Sequence, residues 1–294
     1  MMIGNKVSRM RATAEQKDKS SYRPGGEILR VSKSSFMTYK MCPRQFYWRY
    51  VADVPSPPPT EAAIRGSLIH GAMEHGILGE PADMERYLIA EGLEDDDGAV
   101  ALSSLLHSVA VGLGVFDVVE AEVKHEVYEE LEFEDFKLPV LWVGMVDGVL
   151  RHPQGGLILV ELKTGKMNMG KLGRTRKELV YYARMLKLLG YDEITHFLYL
   201  CPDFVQEEHD PNYALMPEKA KRGKTMWLGE DNGLALLEPV NTRSINAFEN
   251  NLYHTIESLN SQDYPMNWSE YFCPLWCDFH LNCEVELTGV GEWQ

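Results

Sequence analysis

The stretch Gly144-Met-Val-Asp147-Gly-Val-Leu-Arg-His152-Pro-Gln-Gly-Gly156-Leu-Ile-Leu-Val-Glu161-Leu-Lys163-Thr-Gly-Lys166 decides the fold. It divides into two neighbouring strands joined by a turn at residues 152–156. The second strand opens on a continuous apolar run, residues 157–160, which is expected to be buried on both faces. That run ends in Glu161-Leu162-Lys163, and alternation puts Glu161 and Lys163 on one face with Leu162 on the other. A carboxylate and an ammonium at the end of a buried strand are costly unless they pair, bind a metal or do chemistry. Asp147 reaches the same place from the preceding strand across the hairpin. The three residues then provide two hard oxygen ligands for a divalent cation, with a lysine beside them to handle a proton. A structural salt bridge at a sheet edge accounts for them equally well.

Outward from this stretch the period changes. Val123, Val127, Leu131 and Phe133, spaced by charged residues, predict a half-exposed strand, followed by strands at 140–150 and 157–163. Downstream, residues 175–189 carry Leu179, Tyr182, Ala183, Leu186 and Leu189 at helical spacing, with Gly190 as a stop. A fourth strand is expected at 193–201, an irregular stretch at 202–235 with a strand near 226–228, and a long helix capped by Thr242. Upstream, Ser34 or Ser35 caps a first helix that Pro43 interrupts near Cys42, and Thr60 caps a second through about Ile77. That second helix holds His70 and Glu74 on one face. Residues 80–115 read as a small helical insertion. The sum is a mixed α/β core with helical flanks.

With 294 residues the chain suits one large domain or two small ones, and the expectation is one domain over 27–294. Residues 1–26 are polar, have no apolar leader core, and read as a flexible arm. No apolar stretch approaches a membrane span, so a cytoplasmic protein without a membrane partner is expected. A net charge of −15 counts mildly against nucleic acid, but the charges are segregated. Lys163, Lys166, Lys171, Arg174, Arg176 and Lys177 form a run with no acid, and Lys219, Lys221, Arg222 and Lys224 a second cluster. The acids concentrate at 91–97 and 120–135. Five cysteines, an odd number, argue against a secreted disulfide framework. Three of them, Cys273, Cys277 and Cys283, fall within the segment 268–284.

In this order the elements resemble the PD-(D/E)XK nuclease superfamily, in its RecB-like, Cas4-type branch. Gly66-x3-His70-x3-Glu74 is similar to the family's helix with the metal-site histidine, and Gly144-Met-Val-Asp147 to the strand with its aspartate. Val160-Glu161-Leu162-Lys163 resembles the E-x-K strand, and Glu178-Leu-Val-Tyr-Tyr182 the branch's Q-x3-Y helix. The segment from Ser35-Phe36 through Cys42-Pro-Arg-Gln-Phe to Tyr50 resembles the first-cysteine segment, and Cys273, Cys277 and Cys283 the C-terminal cysteines. Two departures stand out: Glu178 replaces glutamine, and the tail is spaced Cys-x3-Cys-x5-Cys rather than Cys-x2-Cys-x5-Cys.

The resemblance implies a restriction-endonuclease-like core and a Mg²⁺- or Mn²⁺-dependent deoxyribonuclease, an exonuclease acting on single-stranded DNA or free ends in recombination, repair or replication. It implies that Asp147, Glu161, the Leu162 main-chain carbonyl and His70 hold the metal, that Lys163 handles the attacking water, and that Tyr182 sits near the substrate. Glu74 would support the site rather than ligate. Lys166, Lys171, Arg174, Arg176, Lys177 and Glu178 would line the DNA path, and a helicase or recombination partner is compatible. Four thiolates from Cys42, Cys273, Cys277 and Cys283 suit either a structural Zn²⁺ or an iron–sulfur cluster. The branch and the surrounding aromatics favour [4Fe–4S], joining the N- and C-terminal segments, with Cys201 left as a buried small hydrophobe. The competing expectation is a non-catalytic DNA-binding or assembly module that keeps the fold and the staple.

Overall fold

The computed structural model describes residues 20–21, 28–78, 86–87, 89–90, 116–164, 169–201, 226–228 and 234–290. The arm at 1–26 (apart from Ser20–Ser21), most of the insertion at 80–115, Lys166 and the basic cluster at 219–224 lie outside the described residues. So do the side chains of Glu74 and Cys201. The chain forms two compact units, one of Met1–Pro58, Glu126–Gly144 and Asn246–Gln294, the other of Pro59–His125 and Met145–Ile245. Two strands, β3 (Asp117–Glu132) and β4 (Lys137–Arg151), contribute residues to both. The expected mixed α/β fold is observed, with a mixed sheet and, among the described residues, seven helices.

The unit containing β5 (Leu157–Leu162) carries the quoted stretch. Its turn forms as the sequence predicts: His152 N–H donates to the Gly156 carbonyl at 3.0 Å, and Gly155 N–H to the His152 carbonyl at 2.9 Å. Strand β5 then pairs antiparallel with β4 on one side and parallel with β6 (Ile194–Cys201) on the other. Every residue of β5 is at most 2% exposed, which is why its apolar run shows no alternation. Parallel neighbours need a crossover, and α4 (Met169–Leu188) supplies it, packing on β5 and β6. Leu179, Tyr182, Ala183 and Leu186 are buried as their spacing predicts, while the helix starts six residues before the expected Thr175.

Helix α3 (Glu61–Leu78) begins where Thr60 Oγ1 accepts from Ala63 N–H. Its Ile69 and Ala72 join Leu150, Ile158, Val160 and Leu198 in one core cluster. Each buried aliphatic side chain there contributes about 1.5–3 kcal/mol over its exposed state. Beyond β6 the sheet continues antiparallel through β8 (Leu234–Pro239) to β7 (Met226–Leu228). Strand β7 matches its expected place. Strand β8 is not among the sequence expectations, because a four-residue apolar run, 234–237, followed by Glu238 and Pro239 has no period that marks it as strand.

In the other unit β1 (Ser20–Ser21) and β2 (Ile28–Ser32) add parallel strands to the N-terminal half of β4. Strand β2 was also unforeseen. It leads into α1 (Lys33–Met41), whose N-cap is Ser32 rather than Ser34 or Ser35: Ser32 Oγ accepts from Ser35 N–H, and Ser35 Oγ from Ser32 N–H. This reciprocal box satisfies two otherwise orphaned donors. Cys42 is extended, as Pro43 requires, before α2 (Pro43–Phe46) and a π-helical turn at Tyr47–Val51. Helix α5 (Thr242–Asn260) is preceded by Asn241, whose Oδ1 accepts from Arg243 N–H, so Asn241 rather than Thr242 caps it. Leu252, Ile256 and Leu259 form its buried stripe. Two short helices, α6 (Phe272–Trp276) and α7 (His280–Thr288), complete the unit.

The turn before β5 offers an internally controlled test. Gly155 and Gly156 both have left-handed φ, 97° and 81°, but a Cβ at 155 meets open space whereas one at 156 lies 2.5 Å from Thr195 Cγ2. Gly155→Ala is expected to cost about 1–2 kcal/mol from backbone strain alone. Gly156→Ala should cost about 2 kcal/mol more, as the collision adds to the strain. Urea unfolding of the two variants measures the difference, and equal losses would refute the close packing of the turn on β6.

Candidate metal centre and cysteine cluster

The β4–β5 ladder ends at Gly148↔Val160. One step further Asp147 replaces backbone pairing: its Oδ2 accepts a hydrogen bond from Leu162 N–H at 2.7 Å. Leu162 is fully buried, and an unsatisfied donor there would cost about 1–3 kcal/mol. The aspartate is therefore held in one orientation at the fork between the strands. From α3, His70 Nδ1 comes within 3.7 Å of Asp147 Oδ2 and within 3.0 Å of Glu122 Oε1 on β3. Ligand atoms of His70, Glu122 and Asp147 all lie within 4.8 Å of one another. Glu161, 2% exposed, is not in that close group, though its charge acts on His70. Lys163 Nζ lies 2.5 Å from Glu161 Oε1 and 2.9 Å from Glu178 Oε2.

A family model described as the PD-(D/E)XK nuclease superfamily matches residues 30–284. The chain belongs to this superfamily. Membership points to a metal-dependent nuclease with DNA as its substrate. No curated protein matches the sequence. The crystal structure of SSO0001 is 15% identical, with a TM-score of 0.40 over 88% of this chain and 87% of its own. Among the described residues no helix is long and apolar enough to cross a membrane.

The donor set fits a divalent cation of the kind such nucleases use: buried carboxylates and one imidazole, crowded at a strand end. The electrostatics agree. Burial pushes the Asp147 carboxyl above its usual range, and the Glu122 charge adds to that, against the pull of His70 and the Leu162 N–H. Burial alone would lower His70, but its hydrogen bond to Glu122 and the charges of Asp147, Glu122 and Glu161 outweigh it, and its pKa is raised. Negative charge thus exceeds what the protein neutralises, and a cation entering the group would displace protons. Tyr182 is 2% exposed, and burial first, then Glu161, Asp147, Glu178 and Glu122, raises its phenol far above the ordinary value.

Glu122 was not singled out from the sequence. Nothing local distinguishes it from its acidic neighbours; Glu120, two residues back, instead binds His125 Nε2 at 2.6 Å and the Tyr191 hydroxyl at 2.8 Å. What sets Glu122 apart is a left-handed φ of 49° and the placing of α3, whose His70 it meets.

The basic residues of the superfamily member meet three fates. Arg174 and Lys177 are exposed on α4. Lys171 Nζ donates to the Thr164 carbonyl. Arg176 forms a forked pair with Glu238 at 2.5 and 2.8 Å, and this hydrogen bond raises its pKa against the effect of burial. Tyr199 also donates to Glu238, at 3.3 Å. Glu178, where the branch pattern has glutamine, is a charge partner of Lys163.

In the other unit Cys42, Cys273, Cys277 and Cys283 are free thiols. Cys283 Sγ accepts from Trp48 Nε1 at 3.4 Å, and Cys273 Sγ from Ser269 N–H at 3.3 Å. Burial, then Cys277, Cys42 and Glu286, pushes the Cys283 thiol up to about 11 despite the Trp48 bond. Cys277 is likewise raised by burial and by Cys273 and Cys42. Charge effects link Cys277 with Cys273 and Cys42, and Cys283 with Cys277 and Cys42, so the four thiols share one neighbourhood. Thiolates as a donor set suit a metal group, though these four sulfurs form no group of three within 4.8 Å.

The Arg176–Glu238 pair yields a stability test. Glu238→Gln should cost about 1–3 kcal/mol, less than a fully buried pair because Arg176 is one-third exposed. Arg174→Gln and Lys177→Gln should stay within about 0.5 kcal/mol of the parent. Chemical unfolding measures all three, and a silent Glu238→Gln would place the pair among ordinary surface contacts.

Proposed function

We propose that this nuclease-superfamily protein is a RecB-like, Cas4-type exonuclease that hydrolyses phosphodiester bonds of single-stranded DNA or free DNA ends in recombination, repair or replication. The observation that supports it is the grouping of His70, Glu122 and Asp147 within 4.8 Å, with Asp147 bonded to Leu162 N–H inside the Glu161-Leu162-Lys163 triplet that ends β5. In this reading His70, Asp147, Glu161 and the Leu162 carbonyl hold Mg²⁺ or Mn²⁺, with the imidazole favouring Mn²⁺. Such a cation supplies Lewis-acid stabilisation of the phosphate and lowers the pKa of water. Asp147 is fixed by Leu162 N–H through Oδ2, the same oxygen that lies 3.7 Å from His70 Nδ1. Lys163 orients the attacking water through Nζ, which requires it to exchange contacts with Glu161 and Glu178. Tyr182 packs beneath the carboxylates as a positioning group, and Arg174 and Lys177 follow the phosphates. The cytoplasm and a helicase or recombination partner complete the proposal.

Cys42, Cys273, Cys277 and Cys283 are assigned to a [4Fe–4S] cluster, with a structural Zn²⁺ as the alternative. Either would tie the chain's beginning to its end and close a very long loop.

Cleavage of end-labelled single- and double-stranded DNA with Mg²⁺ or Mn²⁺ tests the active site. Asp147→Asn keeps an oxygen for Leu162 N–H, so it and Glu161→Gln should fold yet lose at least about 100-fold in cleavage rate. Lys163→Ala should still bind Mn²⁺ and lose turnover. Folded variants that cleave normally would reject the assignment, and DNA binding without metal-dependent cleavage by the parent would leave the non-catalytic module.

For the cysteines, anaerobically purified protein is expected to be brown with about four irons per chain. Serine at Cys42, Cys273, Cys277 or Cys283 should bleach it, and serine at Cys201 should not. Colourless protein with stoichiometric zinc would replace the cluster by the zinc staple.

A further inference from the structure

The acidic residue that the sequence patterns pass over is placed where a ligand would be. We infer that Glu122 is a direct ligand of the divalent cation, adding a third carboxylate to Asp147 and Glu161. The inference rests on the metal-dependent reading of the site above and extends it by one residue that no motif contains.

Three geometric facts carry it. First, Glu122 Oε1 lies 3.0 Å from His70 Nδ1, and that same nitrogen lies 3.7 Å from Asp147 Oδ2. A carboxylate that merely orients a metal-binding histidine bonds to the ring nitrogen remote from the metal. Here one nitrogen faces both carboxylates, so Glu122 is on the ligand side of the ring. Second, adjacent ligands about 2.1 Å from a Mg²⁺-sized ion stand about 3 Å apart, and opposite ones about 4.2 Å. The two separations from His70 Nδ1, 3.0 Å to Glu122 and 3.7 Å to Asp147, fall within that range, and all three ligand atoms lie within 4.8 Å of one another. Third, the Glu122 side chain is 9% exposed, so its charge is withdrawn from water. A buried carboxylate needs a counter-charge or donors. His70 offers one imidazole to two acids, and Glu120, two residues away, is already satisfied by His125 and Tyr191.

The backbone supports this placement. Along β3, Ala121, His125, Val127 and Leu131 are buried with period two, which by itself would turn Glu122 to the opposite face. The left-handed φ falls at Glu122, the residue of β3 that hydrogen-bonds His70. Left-handed φ is unfavourable for a glutamate and is retained where the surroundings impose it.

The test is Mn²⁺ binding to the anaerobically purified full chain without DNA, read from the loss of the free Mn²⁺ paramagnetic resonance signal. Two variants separate a ligand from its alternatives. Glu122→Gln preserves shape and a hydrogen-bond acceptor for His70, and Glu122→Gly suits the left-handed φ, so its fold is not in question. Both are expected to weaken Mn²⁺ binding at least about 10-fold, like Asp147→Asn, with unfolding of the metal-free protein unchanged or, for glycine, improved. Retained affinity in Glu122→Gln with loss in Glu122→Gly would overturn the inference, since Glu122 would then only position His70. Retained affinity in both would remove Glu122 from the site, as would a parent that binds no Mn²⁺. Parent protein that binds Mn²⁺ through Glu122 yet leaves DNA intact would sink the nuclease proposal alone.

Discussion

The site depends on one hydrogen bond, from Leu162 N–H to Asp147 Oδ2, at the fork where β4 and β5 cease to pair. A central buried strand cannot leave a main-chain donor empty, and water does not reach a fully buried leucine. The aspartate solves this, and in doing so its carboxylate is held with little freedom. A residue serving the fold thus becomes a preorganised polar group at no further cost in order. The same departure of the strands leaves room for the side chains of Glu161 and Lys163 beyond the end of the ladder.

That economy has an electrostatic consequence. Asp147, Glu161, Glu122 and Glu178 surround one lysine and one histidine, so the group carries more acid than base. The raised pKa of His70 expresses this imbalance, while that of Asp147 comes first from burial, with the Glu122 charge adding to it. Stability from the raised histidine is fully present at low pH and fades as pH rises through its folded value. The aspartate acts in the same sense, because ionising it in place is disfavoured relative to the unfolded chain. A site with this charge is poised for a cation rather than for an anion. On α4, Arg174 and Lys177 are exposed, while Arg176 is committed to Glu238.

The cysteine cluster answers a different need. Its unit joins the chain's early helices to its last ones around Trp48, Phe279 and Cys283. Trp48 Nε1 donates to a cysteine sulfur, so an aromatic core residue and a thiol share one bond. Cys277 and Cys283, with raised pKa, carry little thiolate and are weak nucleophiles without a bound metal.

Much of this was legible from the sequence, because the signals were local. The apolar run of β5, the double-glycine turn, the stripe of α4 and the break at Pro43 each follow from neighbours within a few residues, and each is found in the structure. The triplet Glu161-Leu162-Lys163 was conspicuous because charge at the end of a buried strand contradicts its surroundings. Strands β2 and β8 escaped notice because short apolar runs have no period of their own, and only pairing across the sheet makes them strands. The same holds for side chains. That Arg176 faces Glu238, and that Glu122 rather than Glu120 meets His70, depends on residues far apart in the chain. Local pattern states which residues prefer burial; where a charged side chain finds its partner is decided only when the elements are packed.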